Sequence, residues 1–361
     1  MAGVGSYFSS PAARGPRLGA SDYGPDKEDD MCELIWKLEN LSQAAKSISA
    51  SRRTDIPAFY PEWFGHRLAA GFAEYIPSGP PRRCRCSLRP EDVTHFDFWT
   101  KNPRPFFPAL RQVLEIGYPV LWNVTVTGLG GTPVEPHVPP AERVIEGIRE
   151  LATIVPTSAI LWRFDPVFVS AIYGEDHHVE MFRRLAGELA GHVDRRIAIS
   201  FLGSCYERRV QADLRRYESE TGDEVGVVPL NQQVDLAGKL HDIALAAGLE
   251  LTLCCSPDLR QATGYPGTGC NSFAWARTVY PVLDKVKDLK PKPTRPGCLC
   301  SDEIDIGVYD TCVHGCRYSY GSSSYEAARA NYHRHDPQDA CLIPGGSAAG
   351  KASAARSLPI V

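Results

Sequence analysis

The chain has 361 residues, 43% of them hydrophobic and 23% charged, with a formal net charge of −4. This supports one large domain with a full core and a smaller appendage, and excludes a wholly disordered chain. The slight acidity argues against a general nucleic-acid binder, which carries a basic excess.

No apolar run approaches the roughly 18 residues of a membrane span. Residues 1–25 lack the apolar core of a secretory signal. The expectation is a cytoplasmic protein with no membrane and no nucleic-acid partner.

Residues 1–45 read as an N-terminal extension. The first 30 are rich in Gly, Ala, Ser and Pro and are expected to lack fixed structure. Leu34, Ile35, Leu38 and Leu41 then fall at helical spacing.

From residue 46 to 290, short apolar or aromatic runs alternate with longer amphipathic stretches. The clearest strands are 96–99, 120–126, 159–164, 197–202 and 249–254, joined by 46–50 and by weaker runs at 85–88 and 225–228. Helices are expected at 105–115, 140–154, 179–190 and 234–247. Strands alternating with helices imply a parallel sheet. The expected fold is α/β, a (β/α) barrel that is complete with eight strands and partial with six. A cysteine-rich extension, 291–343, follows the Pro-rich run at 290–297, and 344–361 form a disordered tail.

Polar residues sit just past the apolar part of several strands, the end at which parallel barrels bind ligands. After the first strand, Arg52 and Arg53 could clamp a carboxylate or phosphate through paired hydrogen bonds. Asp55 joins them at the strand end; its structural alternative is to cap a helix that starts near Pro57. Lys101 and Asn102 follow the 96–99 run, and Lys101 suits an anionic substrate or an acid role. Arg163 and Asp165 straddle Phe164, either as part of the cavity or as a buried ion pair. Together these residues define a candidate catalytic site for a small anionic molecule.

Seven of the twelve cysteines lie between Cys254 and Cys316. Clustered cysteines in a chain with no secretory signal are more often metal ligands than disulfides. Cys298-x-Cys300 precedes Cys312-x3-Cys316, and Gly315 would let the second pair turn inward. Thiolates suit zinc or iron–sulfur centres. The irregular spacing departs from paired zinc knuckles and favours a cluster, with Cys254 and Cys270 as further ligands. The structural alternative is a set of inert buried cysteines. Cys84 and Cys86 repeat the C-x-C spacing and read as chance.

The run Cys312-x3-Cys316-x-Tyr318-x resembles the C-x3-C-x-aromatic-C signature of radical S-adenosylmethionine enzymes, with Ser319 in the third cysteine's place. More closely, the chain resembles the bacterial family called domain of unknown function 1848. The resemblance rests on Ser49 to Pro57, Phe98 to Pro103, Leu161 to Pro166 and Asp305 to Cys316. It implies a 4Fe–4S cluster near Tyr318 and Ser319, S-adenosylmethionine as cofactor and a protein electron donor. It supplies no reaction.

The family carries Tyr-Cys-Tyr where this chain has Tyr318-Ser319-Tyr320. Either Ser319 ligates as an alkoxide, or Cys298 or Cys300 completes the set, or the site has lost its ancestral chemistry. The expected function is an iron–sulfur enzyme, radical-type or simple redox, acting on a small anionic substrate. One alternative is a binding protein with zinc on the C-terminal cysteines. Another is a metal-independent hydrolase or lyase using Asp55 and Lys101.

Overall fold

A computed structural model describes residues 41–42, 45–77, 82–202, 208–295 and 297–344. The helix expected at 34–41 and nearly all of the tail lie outside the described residues.

Seven strands form one parallel sheet. They are β1 (Lys46–Ala50), β4 (Val93–Thr100), β5 (Val120–Thr125), β6 (Ile160–Val167), β7 (Arg196–Phe201), β8 (Glu250–Leu253) and β9 (Glu303–Asp305). Their order is β8-β7-β6-β5-β4-β1-β9. From β1 to β8 each strand lies beside the previous strand of this sheet, and β9 returns to the free side of β1. Helices supply the crossovers, among them α1 (Ile56–Phe59), α2 (Pro61–Ala70), α3 (Phe107–Glu115), α4 (Ala141–Leu151), α5 (Glu175–Leu189), α6 (Arg208–Thr221) and α7 (Leu230–Ala246). Further along lie α8 (Pro257–Thr263), α9 (Phe273–Val279) and α10 (Tyr325–Arg334).

The two faces of the sheet differ because side chains alternate along each strand. Phe96, Phe98 and Trp122 point toward Phe64 on α2 and toward Phe106, with ring centroids 4.6–5.8 Å apart across these pairs. Trp162 stacks on Phe182 of α5, and Phe164 meets the same ring edge-on. This aromatic layer is fully buried and holds the helices against the sheet. Between these residues lie Asp97, Asn123 and Arg163, which face the other way and are also buried. The segment before α9 covers them: the Asn123 side-chain amide donates to the Cys270 carbonyl at 2.8 Å, and Phe273 stacks on His95.

Two strand expectations are corrected. The run at 85–88 does form a strand, β3 (Cys84–Ser87), but it pairs antiparallel with β2 (Phe72–Tyr75) in a separate two-stranded sheet. Its charged and small residues offer no apolar face for the main sheet. The run at 225–228 is not a strand; only Val225 bridges to Ser170. Gly226 weakens it and Pro229 starts α7 at once. The seventh strand comes instead from Glu303–Asp305, inside the segment read as a separate cysteine-rich extension.

Candidate functional site

The strand C-termini open onto a cavity of about 180 Å³. Five cations line it: Arg52 and Arg53 after β1, Lys101 after β4, Arg163 on β6, and Arg295 from the Pro-rich segment. Asp55, Asp165, Cys312, Cys316, Tyr318 and Ser319 line it too. Asn102 is not among the lining residues.

Most of the cations are anchored from behind. Arg52 pairs with Glu303, and Arg53 pairs with Asp305 at 3.3 Å. Ser51 also donates to Asp305, and Gly307 packs so closely on Ser51 that any Cβ there would collide with its hydroxyl. Lys101 lies 2.9 Å from Glu135, which also accepts from Thr127 at 2.7 Å and from Tyr318. Burial alone would lower the Lys101 ammonium, but Glu135, with Cys316 and Asp165 adding to it, outweighs burial and raises it. Burial would raise the Glu135 carboxyl, but Lys101, Tyr318 and Thr127 together hold it low. Arg163 pairs with Asp165, which also accepts from Ser200. Arg295 is exposed at the rim, and among the described residues no carboxylate lies within ion-pair distance of it.

Asp55 is chiefly an organiser. One carboxylate oxygen accepts from the Ala58 amide at 2.9 Å and caps α1, with Pro57 in its first turn. The other accepts from the Lys101 amide at 2.8 Å and contacts His314 Nε2 at 2.8 Å. His314 Nδ1 in turn contacts the His137 carbonyl. Asp55 and His314 therefore tie the β1 and β4 loops to the cysteine segment.

The six cysteines expected around one centre fall into two places. Cys312 and Cys316 border the cavity, half-buried, with Gly315 between them at a φ of 70° that glycine adopts without strain. Burial, with Asp55 adding to it, pushes the Cys312 thiol up to about 12. Cys316 is raised by burial as well, against the pull of Lys101. Ser319 lines the same cavity; its hydroxyl accepts from the Gly321 amide at 3.1 Å.

Cys254, Cys270, Cys298 and Cys300 gather elsewhere, joined by Cys255. Cys254 Sγ lies 3.7 Å from both Cys255 Sγ and Cys270 Sγ. Cys298 and Cys300 are brought alongside by the 297–301 segment, where the Phe273 amide donates to Ser301 Oγ at 2.9 Å, and their thiols perturb those of Cys255 and Cys270. Cys255 takes a φ of 51°, which lets two consecutive side chains turn to one side. Two guanidinium groups face this ring: Arg163 touches Cys270 and lies 4.0 Å from Cys254, and Arg295 lies 3.8 Å from Cys254. Among the described residues, no three His, Cys, Asp or Glu side chains surround a common ion position.

The sequence reading did not single out Glu135, Glu303, Arg295 or Cys255. Glu135 sits in a Gly- and Pro-rich loop with no motif, and Arg295 was hidden in a linker pattern. Only Cys255 left a signal, its adjacency to Cys254.

The family model for the domain of unknown function DUF1848 matches residues 47–321. The chain belongs to that family. The DUF1848 region contains every residue that lines the cavity, from Ser51 to Gly321, and all five cysteines of the ring. No curated protein matches the chain. Among solved structures, a D-hydantoinase from Bacillus sp. AR9 is similar over 60% of this chain and 43% of its own, at 9% identity and a TM-score of 0.28. The DUF1848 chain thus spans less than half of that enzyme's length, and so slight a likeness carries no argument. Among the described residues no helix is long and apolar enough to cross a membrane.

Proposed function

We propose that the chain is an enzyme built on a (β/α) barrel that binds a small anionic substrate at the strand ends, beside Cys312 and Cys316. Three features support closure of the barrel. β9 sits on the open side of β1, Leu253 of β8 bridges in parallel to Gly267, and the Asn271 side chain donates to Glu303 on β9. A short run around Gly267 would then be the missing stave between β8 and β9. The buried polar residues Asp97, Asn123 and Arg163 would fill the barrel interior.

The observation that carries the substrate reading is the arrangement of charge. Guanidinium and ammonium groups face the cavity, while Glu135, Glu303 and Asp305 stand behind them as partners. Arg295 at the rim lies 3.8 Å from Cys254 and, among the described residues, has no carboxylate within ion-pair distance. An anion entering the cavity would meet fixed donors at little reorganisation cost. Lys101 would hold a proton at its Nζ against the substrate, and Asp55 with His314 would keep the Lys101 loop in place.

The three-thiolate cluster implied by the resemblance does not fit the residues at the mouth. Cys312 and Cys316 supply two sulfurs, and Ser319 supplies a hydroxyl that is far harder to deprotonate than a thiol. Cys298 and Cys300, the other candidates for the set, do not line this cavity.

Binding of small carboxylates and phosphates, measured by calorimetry on the full chain, tests the substrate reading. At least one such anion should bind, and Arg295→Ala should weaken it about tenfold, the loss of one charge-assisted contact. A panel with no binder, or binding indifferent to both Arg295→Ala and Arg52→Ala, would overturn it.

A further inference from the structure

The cysteine ring carries an inference independent of the substrate reading. We propose that Cys254, Cys270, Cys298 and Cys300 hold one thiophilic divalent metal ion, zinc or iron(II), in a closed tetrathiolate site separate from Cys312 and Cys316. Cys255 lies beside the ion and does not ligate it.

The spacing of the sulfurs is the first ground. A metal–sulfur bond of about 2.3 Å in a tetrahedron sets neighbouring sulfurs about 3.8 Å apart. Cys254 and Cys270 stand at 3.7 Å. Thiolates on different irons of a cluster are held farther apart, because two metal atoms lie between them. A disulfide would bring them to about 2.0 Å, and these cysteines are free.

Among the described residues the sulfurs stand close together without three donors surrounding a common position. Binding one ion would draw the four sulfurs inward around it. On binding, each of the four thiols gives its proton to solvent as its sulfur bonds the ion; no electron moves.

The surroundings are the second ground. Inert core cysteines sit among apolar side chains, whereas these touch one another and two guanidiniums. Four thiolates around a divalent ion carry a net charge of −2, which Arg295 and Arg163, itself shared with Asp165, offset in part. Outer partners of this kind orient and balance a metal site. Burial selects the ligands: Cys254, Cys270, Cys298 and Cys300 are buried, and Cys255 is only half-buried. Four buried thiolates leave no position for water, which marks a structural rather than a catalytic metal. The ion would join the end of β8, the segment before α9 and the strand-forming segment before β9, and would fix the two arginines at the cavity.

Metal analysis of the full chain purified without chelator, in the absence of oxygen, tests the proposal. The expected result is about one equivalent of zinc or iron per chain, with no acid-labile sulfide at this site. Reconstitution with cobalt(II) should give the intense visible bands of a tetrahedral tetrathiolate. Cys270→Ser and Cys300→Ser should lower cobalt affinity at least about tenfold. Cys255→Ser, Cys312→Ser and Cys316→Ser should keep it. If the ring variants fail to fold, alkylation of the wild-type chain decides: four cysteines should resist until the ion is chelated. The proposal falls if cobalt gives no thiolate charge-transfer band, if the metal leaves with Cys312→Ser and stays with Cys270→Ser, or if inorganic sulfide accompanies the ring.

Discussion

Two groups of cysteines only about a dozen residues apart in sequence do different things in space. Cys312 and Cys316 stand at the rim of a charged cavity, half-buried and facing Lys101. Cys298 and Cys300 turn away toward Cys255 and Cys270, which enter from the end of β8 and the segment after it. The first pair has ionic and hydroxyl neighbours and could contact a ligand. The second is enclosed by other sulfurs and two guanidiniums. Density of cysteines along a chain is thus a poor guide to which of them share a centre. The fold decides that, because the segment before β9 packs on the segment that follows β8.

The largest difference to expect between the groups is in stability. Removing a ring sulfur opens a void in a buried place and takes from Arg163 one of its partners, leaving it Asp165. Cys270→Ala should cost at least about 3 kcal/mol, read from denaturant unfolding. Cys312→Ser should stay within about 1 kcal/mol. Equal losses would erase the contrast between the two places.

A sharper, smaller effect concerns Ser319. Restoring a third thiol at the mouth with Ser319→Cys should let the full chain take up an iron–sulfur chromophore on anaerobic reconstitution. Comparing wild type with a Cys312→Ser/Cys316→Ser double variant isolates the mouth, which should add no such chromophore in the native chain. A wild-type mouth cluster lost in that double variant would show that two thiolates and a hydroxyl suffice after all.

The smallest effect links the two regions through Glu303, which pairs with Arg52 at the cavity and accepts from Asn271 beside Cys270. Burial, opposed by Arg52 and reinforced by Asp97 and Asp305, pushes its carboxyl up to about 8. The folded state therefore binds more protons than the unfolded one between the ordinary carboxylate range and about pH 8. Stability should fall as pH rises through that window and then level off. Above it, ionised Glu303 competes for Arg52, so anion binding should weaken. Glu303→Gln should flatten both profiles, measured by thermal unfolding and by calorimetry across pH.

Much of the fold was legible because β4 to β8 are bounded apolar runs that alternate with helical stretches. β9 was not: three residues with two acids, Glu303 and Asp305, carry no apolar pattern, and the strand exists only because β1 offers a free edge. The strand-end rule placed Arg52, Arg53, Asp55, Lys101, Arg163 and Asp165 in one cavity. It also included Asn102, which lies just beyond Lys101 and falls outside the lining. Glu135 and Arg295 were invisible because loops bring them in from afar, and no local spacing records a contact between residues 34 positions apart, as for Lys101 and Glu135.

The strand order has a consequence for how the chain is made. The Lys46–Ala50 edge emerges early, yet the strand that covers it arrives only at Glu303–Asp305. During synthesis that edge must wait, with its amides and carbonyls open, for more than two thirds of the sequence to follow. A product cut short before residue 303 would keep this raw border and be prone to stick to its own kind. The final stretch is therefore less an appendage than the closing seam of the body.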